Sequence, residues 1–294
     1  MSSAPVQSAM VVAPGGAATP KQAPGGSDAK KAGSSFDHLT VGRILSWIML
    51  VFIVLPVLAT LVAATSIDFS QGPWGKGITL DWFILGWMKI GPMILRSFLV
   101  AMLVVALNLL IVGPFAWYAP NLPGWLKNAL TSAVNIPLAI PGIALSISLI
   151  GTFAGLRPSG VLLICGHLIF TMPFTMSALM PSLADTKLRE AQEVARSLGA
   201  SWYRVITTIT IPWVNVSVLQ AITMVFAISF GEFNISFFIN PPATPMAPFA
   251  LFDAYSTQRL EIASAMSCIF IAFTIPVLAA VVWARTRVSN RGND

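Results

Sequence analysis

The sequence predicts an all-α integral membrane protein with six transmembrane helices and a helix–glycine–helix hairpin between the fourth and fifth. Three observations predict it. The 294-residue chain is 56% hydrophobic and only 10% charged, whereas a soluble globular chain carries about a quarter charged residues. Its charges gather at the ends of long charge-free runs, as expected where a charge at a bilayer centre is expensive. Those runs are continuously apolar rather than alternating, which favours helices over a barrel.

Residues 1–40 read as a disordered tail. They are dominated by Ala, Gly, Pro and Ser with a few lysines, too little apolar surface to offset the entropy of ordering. They contain no apolar core of a cleavable signal peptide. Residues 41–294 read as the transmembrane domain. Its spans follow from the charge-free intervals: 24 residues between Arg43 and Asp68, 30 between Arg96 and Lys127, and 29 between Lys127 and Arg157. Three more intervals hold 27 residues between Arg157 and Asp185, 27 between Arg204 and Glu232, and 23 between Glu261 and Arg285. Each exceeds the ~20 residues needed to cross about 30 Å of hydrocarbon. The spans are placed at 44–66, 93–118, 128–154, 159–182, 213–238 and 262–284. Residues 233–252, with four prolines and two asparagines, read as a loop where the fifth span ends.

An even number of spans puts both termini on one side. That side holds twelve of the Lys and Arg residues and the other five; without the tail lysines the count is nine to five. The positive-inside rule makes it the cytoplasmic side. The net charge of +6 is scattered at span ends, so lipids rather than nucleic acid are the expected contact. Cys165 and Cys268 sit in apolar runs as small core residues. Pro137, Pro141 and Gly142 crowd one span, "NIPLAIPGIALSISL", and predict a bent helix, either lining a cavity or kinked for packing.

The segment 183–212 carries compact charge in an apolar chain. Ser182 or Asp185 can cap a helix beginning near Thr186. Leu188, Ala191, Val194, Ala195 and Leu198 fall on one narrow apolar face, and Glu193 can pair with Arg189 or Arg196. Gly199 suits the left-handed position that ends a helix, and Ser201 can cap a second helix leading to Pro212. A solvated loop resting on headgroups is the alternative at this point.

Glu193-Val194-Ala195, then Gly199, then Ile209-Thr210-Ile211-Pro212 resembles the cytoplasmic signature of binding-protein-dependent ABC transporter permeases. That signature is Glu-Ala-Ala, a glycine six residues after the glutamate, and Ile-x-Leu-Pro with its proline thirteen residues further. Val194 and Ile211 depart from it conservatively. The run "GHLIFTMPFTMSALMPSLADTKLREA" and the double-proline span look like the second permease subunit of spermidine/putrescine-type importers. Iron(III), thiamine and aminoethylphosphonate importers have related permeases. The resemblance covers about residues 40–288.

The resemblance implies a type I importer fold in which the hairpin is a coupling helix seated on a separate dimeric ATPase. It implies a second permease subunit, a periplasmic binding protein that delivers a polyamine-like solute, and a bacterial inner-membrane location. Glu193 and Gly199 would couple, Ala191, Ala195 and Leu198 would form the docking face, and Pro212 would close the signature. The chain itself would be no enzyme and need no cofactor. "GPWGKG" lacks the phosphate-loop spacing and the Ser/Thr after the lysine.

Glu232, the carboxylate inside the fifth span, and Asn234 beside it are candidates for the substrate path. Glu232 could meet a cationic solute, pair with Arg96, or lie at the wet outer interface. His167 reads as a buried neutral histidine, with no second ligand at metal spacing. Two further classes stay open: an ion-gradient-driven secondary transporter, which needs charged relays inside spans, and an intramembrane enzyme, which needs a nucleophile–base or metal constellation.

Overall fold

The structure, a computed structural model, describes residues 29–241 and 243–291. Among them the regular elements are helical, apart from one isolated antiparallel bridge between Ser66 and Ile78. The chain divides into two compact units, Met1–Leu55 and Pro56–Asp294. In the first, the described residues form the beginning of α1 (Ala29–Thr65). Residues 1–28 of the expected tail lie outside the described residues, and 29–40 are helical.

The second unit carries everything else. After the loop that follows α1 come α2 (Asp81–Tyr118), α3 (Gly124–Ala139), α4 (Gly142–Phe153) and α5 (Val161–Leu183). The hairpin helices α6 (Thr186–Ser197) and α7 (Trp202–Val205) follow. Then come α8 (Ile211–Phe230), α9 (Asn234–Ile239), α10 (Ala247–Thr257) and α11 (Leu260–Arg291). Among the described residues five helices are long and apolar enough to cross a membrane, and a sixth span is counted if α3 and α4 are taken together.

That third span departs most from expectation. α3 and α4 meet at 100°, too sharp for one gently bent helix. Pro141 forces the residue before it out of the helical region, and Ile140 is extended at φ −97°, ψ 125°. The fifth span also differs. It stops at Phe230, and the segment read as a loop holds α9 and α10. Their apolar residues Ile235, Ile239, Met246, Ala247 and Ala254 are buried, so helices form there because packing overrides the prolines. Pro248 sits in the first turn of α10, where its missing N–H costs nothing. The second span begins at Asp81 rather than 93, which puts Lys89 on a helix.

α5 is the axis of the bundle: 50% of its apolar window is buried, against 11% for α11. Around it lie three apolar clusters. One joins α2, α8, α10 and α11 through Ile94, Val104, Phe226, Phe230 and Met266. A second joins α2, α5, α6 and α8 through Ala116, Leu179, Leu183, Leu188 and Val214. A third joins α5 and α9 through Leu163, Ile235, Ile239 and Met246. Gly166 allows α9 to approach closely, since a Cβ there would lie 2.9 Å from Ile235 Cγ2. Leu95, Leu99, Leu110 and Ile275 point outward and exposed, a surface suited to lipid.

Candidate functional site

The hairpin is built as local chemistry dictates. Asp185 Oδ1 accepts the Lys187 N–H at 3.0 Å and starts α6. Its end is a Schellman turn: Gly199 N–H donates to Arg196 O at 2.9 Å, Ala200 N–H to Ala195 O at 3.0 Å, and Gly199 has φ +83°. Ser201 Oγ then accepts from Arg204 N–H and caps α7. α7 runs through a π-helical turn, Ile206–Thr210, directly into α8. One apolar helical span thus extends over Trp202–Phe230. The wide turn precedes Pro212, whose ring would clash with a carbonyl of an ordinary α-turn.

Two contacts tie α6 to this long helix. Leu188 is buried in the second apolar cluster, and Gln192 Nε2 donates to Thr210 Oγ1 at 2.8 Å. A cleft of about 380 Å³ lies between α6 and the end of α2, lined by Trp117, Asn121, Arg189, Glu193, Arg196 and Trp202 among others. The Trp117 and Trp202 rings lie 5.8 Å apart across it.

The expected docking face is split. Leu188 turns into the core, Ala191 and Ala195 are half-buried, and Leu198 is 83% exposed. Leu198 is the C-cap, past the last helical turn, so the helical period no longer aligns it with Leu188. Glu193 is exposed and pairs with neither Arg189 nor Arg196. Arg189 reaches Asn121 Oδ1 instead, at 3.4 Å. Pro212 is exposed in the first turn of α8.

The second group of candidates lies where α8 stops. Glu232 is buried, and its Oε2 accepts the N–H groups of Ile235 at 2.8 Å and Ser236 at 3.0 Å. It thereby caps α9 and is neither inside a continuous helix nor at a wet interface. The suggested pairing with Arg96 is not formed: Glu232 faces His167 Nε2 at 4.0 Å, and Arg96 Nη1 is buried without a hydrogen-bond partner. Asn234 is exposed, with its Cβ against Gly142 at the α3–α4 elbow. Its carbonyl accepts from Ser146 Oγ at 3.2 Å.

His167 is fully buried, as the sequence suggested. Its Nδ1 lies 2.9 Å from Ser229 Oγ and its Nε2 3.1 Å from Ser236 Oγ. One ring therefore ties α5 to both sides of the α8–α9 break. Below it Thr171 and Thr175 meet Asn108 of α2: Asn108 Nδ2 donates to Thr171 Oγ1 at 2.8 Å and Thr175 Oγ1 to Asn108 Oδ1 at 3.1 Å. All these polar side chains except that of Glu232 are 0% exposed. They form a polar seam through an apolar bundle. The sequence reading did not single out Asn108, Thr171, Thr175, Ser229 or Ser236. The spacing of His167, Thr171 and Thr175 at every fourth residue was the available signal.

At the other end of the bundle the loop after α1 is pinned. Lys76 Nζ lies 2.8 Å from Asp68 Oδ2, and the carboxyl of Asp68 is lowered to about 2, first by that bond and then by Ser70. Phe69 N–H donates to Glu261 Oε1 at 2.8 Å. Arg259 pairs with Glu261 at 3.3 Å and lies over the Trp82 ring, 5.1 Å from its centre.

Residues 112–291 match the family described as binding-protein-dependent transport system inner membrane component. The chain is 23% identical over 244 residues to the putative 2-aminoethylphosphonate transport system permease protein PhnV of Salmonella typhimurium, covering 80% of this chain and 89% of that one. It is 26% identical over 197 residues to the molybdenum transport system permease protein ModB of Haemophilus influenzae, covering 60% and 85%. It is 24% identical over 171 residues to the spermidine/putrescine transport system permease protein PotC of Shigella flexneri, covering 57% and 64%. The matched stretch contains the hairpin, the α8–α9 break and most of the bundle, and the chain belongs to the family of binding-protein-dependent transport system inner membrane components, the permeases of ABC transporters.

Proposed function

We propose that this chain is one of two membrane subunits of an ATP-driven importer, and that the hairpin 183–212 receives movement from a separate dimeric ATPase. One observation carries the reading: the second arm of the hairpin is continuous with the long helix Trp202–Phe230, while the first arm is fastened to it through Leu188 and Gln192. A rigid element that protrudes from the bundle can transmit a push, whereas a solvated loop cannot. Glu193, Ala195 and Leu198 present charge and apolar surface to the ATPase, and Gly199 sets the turn between the arms.

The push reaches α8 and then its neighbours. Ser182 and Ser217 hydroxyls join α5 to α8, and His167 joins α5 to the α8–α9 break through Ser229 and Ser236. Opening that break would move Glu232 and Asn234 beside the α3–α4 elbow, where we put the solute path. A periplasmic binding protein delivers the solute, both termini are cytoplasmic, and a second permease subunit completes the path.

A polyamine-like cargo would need carboxylates free to face the path. Glu232 and Glu261 are both engaged. A phosphonate, as in the name of the first relative, fits this balance better.

The test uses the assembled complex in proteoliposomes. Glu193→Lys and Gly199→Asp should leave the protein inserted and abolish ATP-driven uptake, with loss of the co-purifying ATPase. Normal uptake by both variants overturns the coupling role. The closeness of His167 and Glu232 favours the ion-driven alternative in one respect, so a protonophore is added with ATP maintained; abolition of uptake would support that alternative instead.

A further inference from the structure

Several charged groups of the membrane segments have polar partners among the described residues. Glu232 is held by two backbone amides. Glu261 accepts from Phe69 and pairs with Arg259. Asp81 accepts from Thr79 Oγ1, and Lys89 donates to Gln258 Oε1. Arg96 has no ion pair among the described residues, and its Nη1 is shut away from solvent with no acceptor.

Arg96 lies on the half of α2 nearer Asp81. It shares a face with Met93 and Val100, which pack on the apolar clusters of the core. Its neighbour Ser97 is fully buried and accepts the Ala247 N–H at 2.9 Å, so this stretch of α2 is fastened to the start of α10. The other buried side-chain atom without a partner among the described residues is Asn240 Oδ1. Asn240 ends α9, and Ile239 before it belongs to the same cluster as Val100. Thus an unused donor and an unused acceptor border one apolar cluster.

We propose that Arg96 is the cationic element of a subsite for an oxyanion of the phosphate, phosphonate or sulfate class. A guanidinium presents a planar fork of donors that matches two oxygens of such a group. The side chain is half-buried, and its Nη1, shut away from solvent, needs such an acceptor. A carboxylate from the chain would serve, and the two buried ones are spoken for. The oxyanion can come from a transported solute or from a phospholipid headgroup. Treating it as cargo rests on the importer reading above, while the subsite itself does not.

The experiment reads the guanidinium directly. The assembled complex is placed in nanodiscs of phospholipid and, separately, of a phosphate-free glycolipid. The rate of phenylglyoxal modification at Arg96 is followed by peptide mass spectrometry, with Arg204 as internal control. Sodium sulfate, sodium phosphate or spermidine chloride is added at constant ionic strength. In glycolipid discs, sulfate or phosphate should slow modification of Arg96 about tenfold when present at about ten times its dissociation constant. Spermidine should not, and Arg204 should be unaffected. If Arg96 is already protected in phospholipid discs without added anion, the headgroup is the oxyanion and the cargo assignment falls. If neither anion nor phospholipid changes its rate, the subsite is overturned. Loss of ATP-dependence in uptake would count against the importer and leave the labelling result intact.

Discussion

Replacing Gly199 isolates the turn on which the hairpin depends. Gly199 sits at φ +83°, and a Cβ built there meets nothing within 4 Å. A side chain therefore costs no steric clash with neighbours, and the whole penalty is conformational. For an ordinary L-residue in the left-handed region it is about 1–2 kcal/mol; asparagine, whose short amide bonds locally, loses less. If the loss falls on the hairpin alone, its native turn is depopulated by a factor of about 5–30. Gly199→Asn, Gly199→Ala and Gly199→Val should weaken ATPase binding in that order, measured by biolayer interferometry on the nanodisc-embedded permease, with uptake following the same order. Gly151→Ala is the control: it lies in the helical interior of α4 with nothing within 4 Å, and should leave binding unchanged. Wild-type affinity and uptake in Gly199→Ala, together with loss in Gly199→Asn, would refute the reasoning.

Asn108→Leu removes the bonds from α2 to Thr171 and Thr175. Interhelical bonds of this kind contribute roughly 0.6 kcal/mol each, so the solubilised protein should lose about 1–2 kcal/mol, seen as a lower thermal midpoint. Glu232→Ala leaves the amides of Ile235 and Ser236 without their acceptor and should cost about 1–3 kcal/mol. Glu232→Gln retains an acceptor oxygen and should cost less, and unchanged uptake by it would remove Glu232 from any contact with solute. Asp68 has its carboxyl depressed from 3.8 to about 2, so its contribution is complete above the unfolded value and is lost as pH falls through the folded one. Trp74 fluorescence should therefore report loosening of the loop between about pH 4 and pH 2, and Asp68→Asn should abolish that pH step; a step that persists in Asp68→Asn would clear the Lys76–Asp68 pair of the role.

The helical membrane class, the order of the spans and the hairpin were legible in the sequence, because each rests on local chemistry. Long charge-free runs demand helices that satisfy their own backbone. Asp185, Gly199 and Ser201 announce caps and a left-handed turn within a few residues of where they act. The breaks were only partly legible. Pro141 marked a bend, but its 100° angle depends on α4 meeting α9 across the bundle, where Gly142 lies against Asn234 and Ser146 Oγ donates to the Asn234 carbonyl. Gly231 caps the end of the fifth span after Phe230 and Glu232 caps α9 within four residues, but only packing of α9 against α5 makes that buried cap worth forming. The same holds for the seam. Asn108, His167 and Ser236 are ordinary polar residues in apolar runs until three helices bring them within hydrogen-bond reach. Charge and turn chemistry act over a few residues and can be read along the chain. The partner of a buried polar group, or its want of one at Arg96, is decided by helices far apart in sequence, and only the tertiary structure brings those together.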